Sequence, residues 1–510
     1  MKKIKYLIIL LLGLSFVNCN NWLDILPDNE QPSKEYWKSK EDVESVISSG
    51  YYYLRECTPY LIDWGELRGA SLGLGTFDTQ KFKLYSFDLT AENKLVKWES
   101  FYQVINMANS VIKFADVAKG NDPTYSEGAM NSHKTEAYFM RALSYFFLLR
   151  NFKEVPLILT PYVDDSTPYN IAKSTDKDII AQIKEDIKIA LDTDAAKESY
   201  EIAWQNKGRS TKWSLYALMA DVALWNEDYD ECIHYADLLI KATAPIRPVF
   251  ISDPTKWFEI FNPGNSNESI FELNWDYSNY QEDKNSPSKF LNLALESKYR
   301  FRGPMLERLI AETVEVGATN AIRSYYGTFA NSSADYLQYD VAFVWKYMGT
   351  GYQDFTATRT NQDANFIIYR MADIMLLKAE ALILKGESSW TEALGIINQV
   401  RVRSNLSLKT VSLTEATELD MLLILLNERD MEFASEGKRW YDLLRFGKAK
   451  EYKYKEDFIR IIEENNTEKS PNWLRSVLKN ENAWYLPIHV DEIFSNKLLE
   501  QNPYYKVTTN

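Results

Sequence analysis

The chain has 510 residues, 45% of them hydrophobic and 25% charged. That is the balance of a soluble globular protein, long enough to bury a core without disulfide staples. Its formal net charge of -14 argues against nucleic acid, because a phosphate-binding face is basic, and leaves neutral ligands such as sugars open.

At the N-terminus, Lys2, Lys3 and Lys5 precede an apolar run from Tyr6 to Val17. The run is too short for a stable membrane-spanning helix and has the length of a signal-peptide core. It stops at Phe16-Val17-Asn18-Cys19, which resembles a bacterial lipobox, the motif whose cysteine thiol is acylated. Asn18 stands where a small residue is usual. Cys19 is the expected lipid-attachment site; an ordinary secretory signal with a cysteine nearby is the alternative. Several acyl chains would hold the protein stably, since each buried methylene contributes roughly 0.8 kcal/mol. Residues 1–18 therefore read as signal peptide, 19–40 as a tether, and 41–510 as one domain.

From Asp42 the chain reads mostly helical. Leu95, Trp98, Phe101, Tyr102, Ile105, Ala108, Val111, Ile112 and Ala115 recur at helical spacing over 94–118. A second helix is expected over 133–152, ending before Val155-Pro156 because proline disfavours helix in the residue before it. Two later stretches resemble each other. Met219 to Ala223 leads through Tyr229 to Cys232 and Ala236; Lys378 to Leu382 leads through Trp390 to Ala393 and Ile397. Small residues on one helix, an aromatic at the turn and a second helix follow the logic of tetratricopeptide pairs. Helical repeats are expected over about 41–244 and 363–450, with a C-terminal segment at 451–510. Between the repeats, 245–362 is rich in Asn, Ser, Gly, Pro and aromatics. It reads as an irregular insertion with short strands at 269–275 and 341–347, and such insertions commonly carry binding sites.

Four stretches carry a family likeness: Glu136 to Pro156; Tyr369 to Gly386 with Ala393-Leu394 and Ile397 to Arg401; Asn427 to Gly447; and Tyr485 to Ile488 with Gln501-Asn502-Pro503. Together they resemble the SusD/RagB family of outer-membrane nutrient-binding lipoproteins, in the expected order and over nearly the whole mature chain. The resemblance implies a mainly α fold: a right-handed superhelix of tetratricopeptide-like pairs with a loop-rich subdomain. It implies a lipid-anchored protein on the outer membrane, facing the cell exterior. Such a protein captures an oligosaccharide or other nutrient and helps deliver it to a SusC-like TonB-dependent transporter. No catalysis and no cofactor are implied.

Glu428, Glu432 and Glu436 are spaced by four, with Arg429, Lys438, Arg439 and Arg445 close by. An acid/base site is one reading. An ion-pair network around Gly437 is the better one, because so many bases would keep the carboxylates ionised. Gly73-Leu74-Gly75 lacks the context of a nucleotide loop, and no Gly-x-Ser-x-Gly occurs. The three His and three Cys are scattered without zinc-ligand spacing. Asp164-Asp165 could take calcium but reads as a solvated loop. Aromatics beside hydrogen-bonding groups suit sugars, and three stretches have both: Trp64 with Arg68; Trp275, Asp276, Tyr277 and Tyr280; and Arg323, Tyr325 and Tyr326. No motif singles these residues out. A glycan-cleaving helical-repeat enzyme and a periplasmic scaffold for other proteins are the competing functions.

Overall fold

The computed structural model describes residues 36–506 apart from 164–167, 277–284, 294–295, 302, 318–319, 325–328, 331–342 and 352–356. In chain order its main helices are α1 (Lys40–Glu56), α2 (Thr58–Glu66), α3 (Glu99–Asn121), α4 (Glu127–Phe152), α5 (Asp176–Asp192), α6 (Lys212–Trp225), α7 (Tyr229–Ile240), α8 (Gly303–Val316), α9 (Met371–Lys385), α10 (Trp390–Arg403), α11 (Glu418–Glu432), α12 (Arg439–Tyr452), α13 (Lys455–Asn465), α14 (Pro471–Leu478) and the short α15 (Val490–Ser495).

Four antiparallel-type pairs form the superhelix: α1 with α3, α4 with α5, α6 with α7, and α9 with α10. The fold is mainly helical, a right-handed tetratricopeptide-like superhelix. Successive pairs join through α3 against α4, α5 against α6 and α7 against α9. Close packing rests on small buried residues, Ala217, Ala220 and Ala223 on α6 and Ala372, Ala379 and Ala381 on α9. Trp390 closes its turn as the sequence suggests: it is buried, and its indole N–H donates to the Ile383 carbonyl at 3.0 Å.

Local signals set the helix ends. Ser39 and Asp42 form a capping box on α1, and Thr417 and Asp420 form one on α11, each satisfying amides that the first turn leaves open. α4 stops at Phe152, where Lys153 turns to φ 67. Before α3, a separate 3-10 turn covers Lys94–Val96, so the expected helix over 94–118 is two elements.

The insertion has more regular structure than its composition suggests. It contains the fourteen-residue α8, whose apolar face buries Met305, Leu306 and Leu309. Four short strands frame it: β1 (Leu72–Leu74), β2 (Ser269–Leu273), β3 (Tyr299–Phe301) and β4 (Phe366–Arg370). β1 pairs antiparallel with β3, and β2 pairs antiparallel with β4, Ser269 opposite Arg370 and Leu273 opposite Phe366. No helix among the described residues is long and apolar enough to cross a membrane.

The N-terminal and C-terminal parts of the described chain press together closely beside α2. A Cβ on Gly65 would lie 2.0 Å from the Gly437 carbonyl oxygen, and Gly437 itself has φ +73, a left-handed backbone that glycine adopts without strain. Beside it one Glu66 carboxyl oxygen accepts from the Gly437 N–H at 2.6 Å and the Lys438 N–H at 3.2 Å.

Candidate functional site

β2 leaves its sheet at Leu273 and carries Asn274, Trp275 and Asp276 toward α1. Two bonds hold this departure: Trp275 N–H donates to Asn365 Oδ1 at 3.1 Å, and Arg55 donates to the Asn274 carbonyl at 3.2 Å. Between this segment, α1 and residues 204–209 lies a groove of about 570 Å³, lined by Tyr52, Arg55, Trp204, Asn274, Trp275 and Asp276 among others. That volume is in the range of small-ligand sites. Tyr52 and Trp204 are about half exposed, at 46% and 48%, while Trp275 lies deeper at 7%.

The floor is fixed by ion pairs. Arg209 makes two bonds to Glu136, at 2.7 and 2.9 Å, and pairs with Glu44 at 2.5 Å. His133 Nε2 lies 2.9 Å from Glu44. Burial works to raise the Glu44 carboxyl, but His133 and Arg209 hold it at about 2, so Glu44 is a charged acceptor at neutral pH. Two side chains of the groove keep unused hydrogen-bonding capacity: both amide atoms of Asn274 and Oδ1 of Asn265 are buried without a partner among the described residues. Such groups cost free energy unless something satisfies them. Gly208 makes the arrangement possible, because a Cβ there would lie 2.0 Å from Asn274 Nδ2 and 2.9 Å from the Trp204 ring.

Of the residues nominated from the sequence, the structure brings Trp275 and Asp276 into this groove. It places three others in the interior. Trp64 is fully buried, stacked on Phe101 at 5.3 Å and donating its indole N–H to the Leu95 carbonyl at 2.7 Å. Arg68, 1% exposed, donates to the Trp484 carbonyl at 2.8 Å and to Asn151 at 2.6 Å, its guanidinium 4.4 Å from the Trp440 ring centre. Arg323 is equally buried and pairs with Glu312, Glu428 and Glu432. These three hold the fold and reach no surface, a correction to the sequence reading. Cys19, Tyr277, Tyr280, Tyr325 and Tyr326, with the Asp164-Asp165 pair, lie outside the described residues. Tyr52 and Arg55 from α1, Trp204 from the turn before α6 and Asn274 beside Trp275 also line the groove, and no pattern in the sequence links these three segments.

The carboxylate row forms a buried network. Glu432 contacts Arg323, Arg370 and Arg403. Glu436 lies beyond the end of α11, yet returns to the same cluster by pairing with Arg370 at 2.9 Å and Lys346 at 2.9 Å. Glu268 completes it through Arg370 and Arg403. Burial would raise the Glu432 carboxyl, but Arg403, Arg370 and Arg323 together hold it at about 2. Charges this engaged and this deep are structural rather than available to a substrate. Among the described residues, no group of three His, Cys, Asp or Glu side chains is placed to hold a metal ion.

Comparison with known proteins agrees with the architecture. A family model described as the SusD family matches residues 159–505, and one described as starch-binding associating with outer membrane matches 21–224. A SusD-like protein of Formosa agariphila is 25% identical over 88% of this chain and 92% of its own length. A second SusD-like protein of that organism is 24% identical over 99% of this chain and all of its own. A crystal structure of a SusD superfamily protein from Bacteroides thetaiotaomicron superposes with a TM-score of 0.72 at 22% identity, covering 92% of this chain and 99% of that one. The chain belongs to the SusD family.

Proposed function

We propose that this protein is a cell-surface glycan-binding lipoprotein, anchored through Cys19, that captures oligosaccharide and delivers it to a SusC-like TonB-dependent transporter without catalysing a reaction. The observation that carries the binding reading is the groove at Trp275. Half-exposed Tyr52 and Trp204 offer faces for sugar C–H surfaces, beside Arg55, Asp276 and an Asn274 amide with both atoms unsatisfied. A family description of starch binding and outer-membrane association over residues 21–224 supports the same class of ligand and location. The carboxylates that could suggest a hydrolase, Glu428, Glu432 and Glu436, are all committed to buried ion pairs, which favours binding over cleavage.

A glycan array, followed by Trp204→Ala and Trp275→Ala, tests the reading. Each substitution is expected to weaken the bound glycan by about tenfold, a loss of ~1.4 kcal/mol. Unchanged binding in both variants removes the groove from the ligand site, and release of shorter sugars by the pure protein overturns the non-catalytic reading.

A further inference from the structure

A larger groove, of about 900 Å³, lies on the other side of α1. The two grooves share a wall: Tyr52 lines the first and Tyr53 the second, their rings 5.5 Å apart and nearly perpendicular. The second groove runs from the start of α3 past the segment after α4 to α15. Its rings include Tyr102, Tyr162 and Tyr169, and the last two are stacked at 5.5 Å with 5° between their planes. Tyr169 is 57% exposed, and a large solvent-facing ring already held parallel to another is ready to stack on a flat apolar surface. Its neighbours fix the shape: Tyr102 donates to the Pro156 carbonyl at 2.8 Å, the Tyr162 N–H donates to Asn106 at 2.8 Å, and Asn496 donates to the Ile171 carbonyl at 2.8 Å.

Charge separates this groove from the first. Glu99 and Glu492 both line it, and no lysine or arginine does among the described residues. Two cations next in sequence to its lining residues have partners of their own, Lys97 with Asp491 at 3.0 Å and Lys497 over the Phe494 ring at 4.4 Å. Burial pushes the Glu492 carboxyl above its ordinary range and the charges of Glu99 and Asp491 add to the rise, while a bond from Trp98 and the charge of Lys97 pull the other way. An anionic ligand would meet two carboxylates, and Lys97, the cation whose charge reaches Glu492, is already paired with Asp491. A neutral ligand rich in hydroxyls would find rings to stack on and acceptors for its O–H groups, including Gln103 and Ser495.

The geometry points to a second glycan site here, selective for uncharged oligosaccharides over sulfated or uronate-bearing ones. This inference rests on the glycan-binding reading above. The test uses the full chain on an array carrying neutral, sulfated and uronate oligosaccharides, comparing the wild type with Trp204→Ala and Tyr169→Ala. Tyr169 is exposed enough for its truncation to leave the fold intact, which circular dichroism checks. The expected result is that Trp204→Ala retains a set of neutral glycans, and that Tyr169→Ala loses those glycans by about tenfold or more. The double carboxamide variant Glu99→Gln/Glu492→Gln is expected to gain anionic glycans that the wild type rejects. If the wild type binds no glycan at all, the glycan reading itself fails. If the wild type binds but Trp204→Ala removes every signal while Tyr169→Ala removes none, the second site alone is overturned. Equal retention of sulfated and neutral glycans by Trp204→Ala overturns its selectivity.

Discussion

Arg370 reaches three carboxylates at once, those of Glu268, Glu432 and Glu436, and all four side chains are fully buried. Removing one member of such a cluster strands charge in the interior, so Arg370→Met is expected to cost about 3–5 kcal/mol, read as a lower denaturant midpoint. The exposed pair Lys385–Asp230 is the control, since Lys385→Met should cost under about 1 kcal/mol. Glu66 gives a prediction of opposite sign with pH. Burial, then the charge of Asp430, raises its carboxyl from 4.5 to about 8 against the bonds from Gly437 and Lys438. The folded chain therefore holds a proton there that the unfolded chain releases. This group's contribution to stability is greatest below pH 4.5 and falls as pH rises to about 8. Glu432, held at about 2, contributes the reverse, losing its stabilisation as pH falls from 4.5 toward 2. Glu66→Gln keeps an acceptor oxygen and should flatten the decline between pH 5 and 8 in denaturation curves; an unaltered slope would assign that decline to other groups. At this scale the sequence was legible where partners share a helix period, as with Glu428 and Glu432. It misled where they do not. Arg323 sits beside tyrosines in a stretch that reads as exposed loop, while its partners Glu428 and Glu432 lie 105 and 109 positions away.

Helix periodicity exposed the elements well, because each repeat helix buries one face and small residues mark the close approaches. The paired stretches at 219–236 and 378–397 became α6 with α7 and α9 with α10. α8 was hidden by its surroundings, since one amphipathic helix within a region rich in Asn, Gly and Pro leaves the average composition irregular. The groove was legible only through Trp275 and Asp276. Its other walls come from α1 and from the turn at 204–208, brought together by tertiary packing. Trp64 and Arg68 combine a ring with a hydrogen-bonding group as a sugar site would, yet they sit inside, and between them Gly65 is small because the Gly437 backbone presses on it. Gly208 permits a test at this scale. Gly208→Ala must displace Asn274 or Trp204, and should weaken glycan binding about as much as Trp204→Ala while the thermal midpoint moves little. Binding at full strength in that variant would show that neither Asn274 nor Trp204 contributes.

For the whole molecule, the anchor proposed at Cys19 would decide where the grooves work. Cys19→Ala is expected to shift the protein from the membrane fraction to the soluble fraction without altering its glycan affinity in solution; continued retention on membranes would count against the lipid. The contact between α2 and the turn before α12 has a consequence in time rather than in space. Glu66 and Gly437 are 371 positions apart, and Arg68 and Trp484 are 416 apart. Closing contacts of such separation is slow, because the ordering of the intervening chain precedes any gain from the contact. The interior that receives Arg68 therefore cannot be completed until almost the last residues have been made. A chain exported in the way we propose would complete this part of its interior only after its C-terminal end had arrived.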